Sequence, residues 1–293
     1  MIRHSFHRGP MSALVTPFRS GRIDYESFGN MIDRQIESGI RALVFLGTTG
    51  EASTLSDYER RRAYRFVTER VSGRAKVILG TGSLDTRRAM ICTREAEVVG
   101  ADAALVVTPY YNKGTEDGIR EHYKRIANTV DLPIILYNVP SRTGVNLSLR
   151  TINELSEEAN IIGIKEASDS VDRQMSLYAM KERLAVYSGN DTEIYLNLAL
   201  GGSGTVSVLS SLLPKEVLRI YELWDSGRGD EALSLQLSLL PLIKALFLET
   251  NPAPLKYALS LLGLCSDEVR MPMGKLTDAT KRAIEEALEP YSS

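Results

Sequence analysis

Cysteine is almost absent from this chain: of 293 residues only Cys92 and Cys265 carry thiols. Two are too few for a disulfide framework, and each is read in a helix-like apolar setting as a reduced, buried thiol of a cytoplasmic protein. Histidine is nearly as scarce. His4, His7 and His122 show no metal-ligand spacing, so no histidine-based metal site and no bound metal are expected. No apolar run is long enough to span a bilayer, the longest candidates being broken by Lys or Pro, and the opening MIRHSFHRGP lacks the apolar core of a signal peptide. Charge of one sign is lacking too. The 35 basic and 37 acidic side chains nearly cancel, leaving no long-range field to attract nucleic acid or an anionic membrane.

What remains is the composition of a globular protein: 43% hydrophobic and 25% charged residues. Along the chain, short apolar runs alternate with amphipathic stretches. Strands are expected at 11–15, 42–46, 76–79, 103–107, 133–137, 161–165, 184–187 and 204–208, and helices at 24–38, 56–71, 86–99, 115–130, 148–159, 170–181 and 193–200. Asp24 reads as an N-cap and Gly39 as the stop of the first helix. Eight apolar strands separated by helices predict an α/β fold, an eight-stranded parallel β/α (TIM) barrel. From Pro214 the strand signal stops, and 214–225, 231–249, 254–262 and 277–288 carry helical periodicity. The expected organisation is a barrel over 1–226 and a C-terminal helical appendage over 227–293.

The stretch IIGIKEAS, residues 161–168, organises the rest. Alternation along a strand puts Ile161, Gly163 and Lys165 on one face and Ile162 and Ile164 on the other. The lysine stands above a glycine, which is expected to leave it room in a pocket, and a desolvated amine is a nucleophile toward carbonyls. A solvated lysine that merely ends a strand is the plain alternative. In a β/α barrel, functional residues gather at the C-terminal strand ends, and those ends carry GTTGE (47–51), TPYYN (108–112), YNVPSRTG (137–144), Lys165 and SGND (188–191). Glycines beside hydroxyls let backbone N–H groups approach a carboxylate, tyrosines are weak acids for proton transfer, and Arg142 offers a planar fork to a second carboxylate. Taken singly each has an ordinary reading as turn, core aromatic or surface ion pair.

GTTGE at Gly47, YYN at Tyr110, YNVPSRTG at Tyr137 and GIKEAS at Gly163 together resemble the pyruvate-dependent, Schiff-base-forming lyases typified by 4-hydroxy-tetrahydrodipicolinate synthase, also called dihydrodipicolinate synthase. The resemblance runs from LVTPF at Leu14 to NPAPLKYAL at Asn251, with the motifs in the family's order. It implies that Lys165 forms an imine with pyruvate, that Tyr137, Thr48 and Tyr111 make a proton relay, and that Thr49 holds the pyruvate carboxylate. Gly189 and Val206 would line the pocket through backbone atoms. SRTG is the discriminating piece: the matching arginine, Arg142, would hold the carboxylate of L-aspartate 4-semialdehyde. No organic cofactor or metal is implied. Tyr111 would reach across a tight dimer interface, in a homotetramer built from two such dimers.

Two departures stand out. YYN continues as Lys113-Gly114, where the family often has Lys or Arg followed by Pro. Leu84 and Arg88 stand where lysine-regulated relatives carry an Asn and a Glu. The resemblance leaves open another pyruvate aldolase, such as an N-acetylneuraminate lyase, a 2-keto-3-deoxy sugar-acid aldolase or a 4-hydroxy-2-oxoglutarate aldolase. A non-catalytic keto-acid-binding barrel is disfavoured because a binding module has no use for a proton relay.

Overall fold

The computed structural model describes residues 6–168 and 170–291; His4 lies outside them. Eight strands, β1 (Gly9–Ala13), β2 (Ala42–Phe45), β3 (Lys76–Gly80), β4 (Ala103–Val107), β5 (Ile134–Asn138), β6 (Ile161–Glu166), β7 (Ala185–Ser188) and β8 (Gly204–Ser207), close into a barrel in sequential order, with β8 returning to β1. The strand pairs are parallel. A parallel sheet covered on both faces must be apolar throughout, and β2, with all of Ala42–Phe45 buried, shows why its sequence runs without alternation.

The helices begin where side chains satisfy their free N–H groups. The Asp24 carboxylate accepts from Ser27 N and opens α1 (Tyr25–Glu37), and Ser56 with Glu59 forms a reciprocal capping box for α2 (Asp57–Val71). The succession continues with α3 (Thr86–Val98), α4 (Glu116–Ala127), α5 (Leu149–Leu155), α6 (Val171–Tyr178) and α7 (Ile194–Ala199). Then come α8 (Pro214–Asp225), α9 (Gly229–Ala245), α10 (Ala253–Leu261) and α11 (Asp278–Leu288). Two one-turn helices, Pro140–Thr143 and Leu209–Leu212, and a small hairpin of Phe18–Arg19 with Arg22–Ile23 complete the list of elements used below.

The chain forms two compact units. One takes in the residues up to Gly9 and Lys76–Val206; the other takes in Pro10–Ala75 and the chain from Ser207 onward. In the second, α9 packs on α8 and α11, and α11 also packs on α10. Among the described residues no helix is long and apolar enough to cross a membrane.

Four expectations are corrected. Cys92 is buried on α3, but Cys265, also free and buried, lies in the turn after α10 and not in a helical setting. The helix expected to Ala159 stops at Leu155, because the backbone closes at the Ser156 cap and the Ser156 hydroxyl donates to Asn153 O at 2.6 Å. The helix expected over 231–249 starts earlier and ends at Ala245. In β6 the register shifts: Ile134 faces Ile161 but Ile135 faces Gly163. Ile162 is thus an extra, half-buried residue of a bulge. The alternation leading to Lys165 therefore counts from Gly163, and Ile161 does not share it.

Candidate active site

Within the first unit the clearest constellation surrounds Lys165. It is the last but one residue of β6, only 7% exposed, and pairs in register with Tyr137 on β5 and Tyr187 on β7. Its amine lies over the Tyr137 ring, 4.2 Å from the centroid, where the negative face of the π-system meets it. Tyr137 is buried, and its carbonyl accepts from both Thr108 N at 2.9 Å and Thr108 Oγ1 at 3.0 Å, which pins β5 to the end of β4.

The room for the lysine comes from Gly189. A Cβ there would lie 2.9 Å from Lys165 Cε and 2.6 Å from the Ala167 Cβ, so no larger residue fits without displacing the lysine side chain. Gly163, expected to open that room, does something else: a Cβ on it would meet Ala185 O at 2.7 Å and the Tyr187 ring at 3.2 Å. Its bareness accommodates the neighbouring strand and a fully buried tyrosine. The Tyr187 hydroxyl donates to His7 O at 2.9 Å, and burial raises its pKa.

The remaining candidates of this unit sit on strand ends and loops. Arg142 is exposed on the one-turn helix Pro140–Thr143, which ends at Gly144 with φ of 67°. Tyr111 is 88% exposed and adopts φ of 69°, a region unfavourable to a bulky side chain. Lys113 follows it with φ of 46° and lays its alkyl chain against Gly144, so the YYN loop and the Arg142 turn touch. Val206 is buried in β8. The structure thus brings Lys165, Tyr137 and Gly189 into contact and leaves Arg142 on a one-turn helix and Tyr111 on a loop, both beyond the strands.

Sequence reasoning missed the groups that hold these elements. Glu166, buried beside Lys165, accepts from Asn138 Nδ2 at 2.8 Å, from Ser168 N at 3.0 Å and from Arg173 Nε at 3.0 Å. A carboxylate inside an apolar strand is itself the signal, since burial demands partners.

Thr48 and Thr49 belong to the second unit. Their turn is strained: Leu46 and Glu51 both have positive φ, and a Cβ on Gly50 would lie 2.7 Å from Leu46 N. Such a turn persists only when its surroundings fix it. Thr16 Oγ1 donates to Gly50 O at 2.6 Å, and Asn251 Nδ2 donates to Thr49 Oγ1 at 3.0 Å. Thr49 is buried and Thr48 half-buried. Glu51 pairs with the fully buried Lys256 at 2.5 Å and accepts from Arg270 N at 3.0 Å. The Lys256 and Arg270 cations lie 4.1 and 4.3 Å from the Phe18 ring centroid, and Lys256 also donates to Glu268 O at 2.7 Å. Burial outweighs the attraction of Glu51 and lowers the Lys256 pKa. The Arg270 guanidinium holds the Glu59 carboxyl down to about 2. A lysine set among the apolar residues of α10 was the available clue to this cluster.

No group of three or more metal-ligating side chains converges among the described residues. The arrangement in the first unit suits nucleophilic attack by an amine on a carbonyl, with a phenol beside it for proton transfer.

Comparison with known proteins gives one answer. The chain matches the dihydrodipicolinate synthetase family over residues 7–290. It is 43% identical over 285 residues to the 4-hydroxy-tetrahydrodipicolinate synthase of Pelobacter propionicus, covering 97% of this chain and 98% of that one. The crystal structure of dihydrodipicolinate synthase from Thermotoga maritima is similar with a TM-score of 0.95 at 38% identity, over 97% of this chain and 98% of that one. The chloride-inhibited dihydrodipicolinate synthase of Acinetobacter baumannii, solved in complex with pyruvate, gives 0.93 at 39% identity, over 96% and 98% of the two chains. With its barrel, its buried strand-end lysine and these matches along nearly its whole length, the chain belongs to the dihydrodipicolinate synthetase family.

Proposed function

We propose that this chain condenses pyruvate with L-aspartate 4-semialdehyde, the reaction of 4-hydroxy-tetrahydrodipicolinate synthases in diaminopimelate and lysine biosynthesis. The observation that carries the reading is Lys165, buried at the end of β6 with its amine over Tyr137, in a chain of this family. Lys165 Nζ attacks the pyruvate ketone and water leaves, giving an imine that acts as an electron sink. Loss of a methyl proton gives an enamine, whose carbon attacks the aldehyde. The amine of the second substrate then attacks the imine carbon, closing a ring and releasing Lys165.

In this proposal Tyr137, Thr48 and Tyr111 carry protons, and Thr49 with nearby N–H groups holds the pyruvate carboxylate. Gly189 and Val206 line the pocket, and Arg142 binds the carboxylate of the aldehyde. No metal or organic cofactor takes part. The exposure and positive φ of Tyr111 support a role in a partner's site. The proposed assembly is therefore a homotetramer of tight dimers, in the cytoplasm.

Borohydride reduction in the presence of pyruvate tests the first half: the wild type gains the reduced adduct and Lys165→Ala does not. A coupled assay with a panel of aldehydes tests the second. Arg142→Ala should still trap pyruvate but lose about 2 to 4 kcal/mol of transition-state stabilisation with aspartate semialdehyde, the worth of a charge-assisted bidentate contact. Unchanged kinetics in that variant, with turnover of a sugar acid by the wild type, would transfer the assignment to a sugar-acid aldolase.

A further inference from the structure

We infer that Asn138 is a positioning residue for the second substrate, holding the turn that carries Arg142 against the strand that carries Lys165. The inference rests on the proposed roles of Arg142 and Lys165. Asn138 is the last residue of β5 and has no solvent exposure. Its amide spends both donors and an acceptor in three directions. One N–H goes to Glu166 Oε1 at 2.8 Å, on the strand of the lysine. The other goes to Asn146 Oδ1 at 2.8 Å, and the Asn138 Oδ1 accepts from Leu147 N at 3.0 Å. The loop leaves the barrel at Asn138 and comes back to the side chain of the same residue. Arg142 stands at its middle.

The loop is braced inside as well. Gly144 N donates to Pro140 O at 2.9 Å, and the Thr143 hydroxyl donates to Val145 O at 2.8 Å. These bonds brace the loop as one piece between its two ends. The strand arm is redundant, because the β5–β6 ladder pairs Tyr137 with Lys165 and Asn138 with Glu166 through the backbone whatever the side chain. The Ala167 N–H also donates to Asn138 O at 2.9 Å. Asn146 and Leu147 follow the one-turn helix outside any strand; Leu147 is buried, and the amide of Asn138 supplies the hydrogen bonds that tie both residues back to β5. Removing that amide frees the Arg142 end of the site and leaves the imine end in place.

Glu166 explains why the residue is an amide. An aspartate would bring a second carboxylate against Glu166 in a dry setting and withdraw both donors. An alanine leaves Leu147 N without its acceptor but adds no charge.

The experiment compares wild type, Asn138→Ala, Asn138→Asp and Asn146→Ala by steady-state kinetics, borohydride trapping and amide hydrogen exchange. Asn138→Ala should raise KM for aspartate semialdehyde at least tenfold and change KM for pyruvate and the trapped yield by less than twofold. Exchange should quicken at 142–147 and stay slow at 161–166. Asn146→Ala, an exposed position that spares the barrel, should move the same KM in the same direction by a smaller factor. A residue that served stability alone would shift both KM values together or neither, and that result overturns the inference. Unchanged exchange at 142–147 in both alanine variants overturns it too. A wild type that traps no pyruvate refutes the proposed function instead, and the exchange measurement still decides whether Asn138 holds the turn.

Discussion

The Lys165 amine stands 4.2 Å from the centre of the Tyr137 ring, across one strand pair, so the proposed nucleophile lies against the face of the aromatic side chain proposed to handle its protons. Ring and hydroxyl are separable by substitution. Tyr137→Phe keeps the face and removes the acid. The variant should trap pyruvate nearly as the wild type does, while turnover falls by about 10²- to 10³-fold, the usual contribution of a positioned acid or base. Single-turnover rates with and without borohydride measure the two effects, and equal loss in both would place the hydroxyl in imine formation alone.

The Glu51–Lys256 pair makes a prediction about stability. Lys256→Met leaves the Glu51 carboxylate buried with only part of its bonding, and should cost about 3 to 5 kcal/mol, as breaking a buried pair from one side does. Glu51→Gln combined with Lys256→Met removes both charges and should recover most of that loss. Chemical denaturation of the single and double variants checks it. A double variant as unstable as the sum of the singles would mean that the two side chains do not act as a pair.

His122 gives the fold a pH dependence of known sign. It is buried on α4 with Nδ1 2.9 Å from the Thr86 hydroxyl, and its ring meets Tyr123 edge-on. Burial lowers its pKa to about 4, partly opposed by Asp85. The unfolded chain therefore binds this proton first as pH falls below about 6.5, and stability is lost between there and about 4, by at most about 3 kcal/mol. The Glu59 carboxyl, held at about 2, costs stability as pH falls from its ordinary value of 4.5, so it overlaps the His122 window only at the acid end, and the comparison stops at pH 4.5 for that reason. In His122→Gln the difference in unfolding free energy between pH 7 and pH 4.5 should shrink; an unchanged difference would assign the slope elsewhere.

L-Lysine should be a poor inhibitor. At the two departures noted in the sequence, where the resemblance implies polar partners for lysine, this chain has Leu84 and Arg88, both exposed, and an arginine repels an ammonium group. Asp85, between them, caps α3 by accepting from Arg87 N and Arg88 N, and Asp57 is already paired with Arg60. Initial rates should change by less than twofold at millimolar lysine, and strong inhibition below that would reveal another receptor for the ligand.

Much of the scaffold was legible because its signals are local. Asp24 and Ser56 mark helix starts by satisfying nearby N–H groups, and apolar runs such as 42–46 and 103–107 mark strands. The bulge at Ile162 was not, since an extra residue shows only against its partner strand. The one-turn helix Pro140–Thr143 is too short to repeat the period by which helices are recognised. Lys165 and Tyr137 were singled out from strand position and family likeness. Glu166, Asn138, Asn251 and Lys256 were not singled out, because their meaning lies in partners that the chain brings close only on folding.

The partners of the Gly47–Glu51 turn come late. Asn251 follows Thr49 by 202 positions, and Arg270 follows Glu51 by 219. During synthesis the turn leaves the ribosome long before either, and contacts so distant in sequence are the slow ones to form. A nascent or prematurely terminated chain that ends before Asn251 has the threonines but nothing to hold Thr49 from that side. This turn therefore takes its final form only after the chain has been made as far as Arg270, and its maturation is timed by synthesis of a segment more than 200 residues downstream.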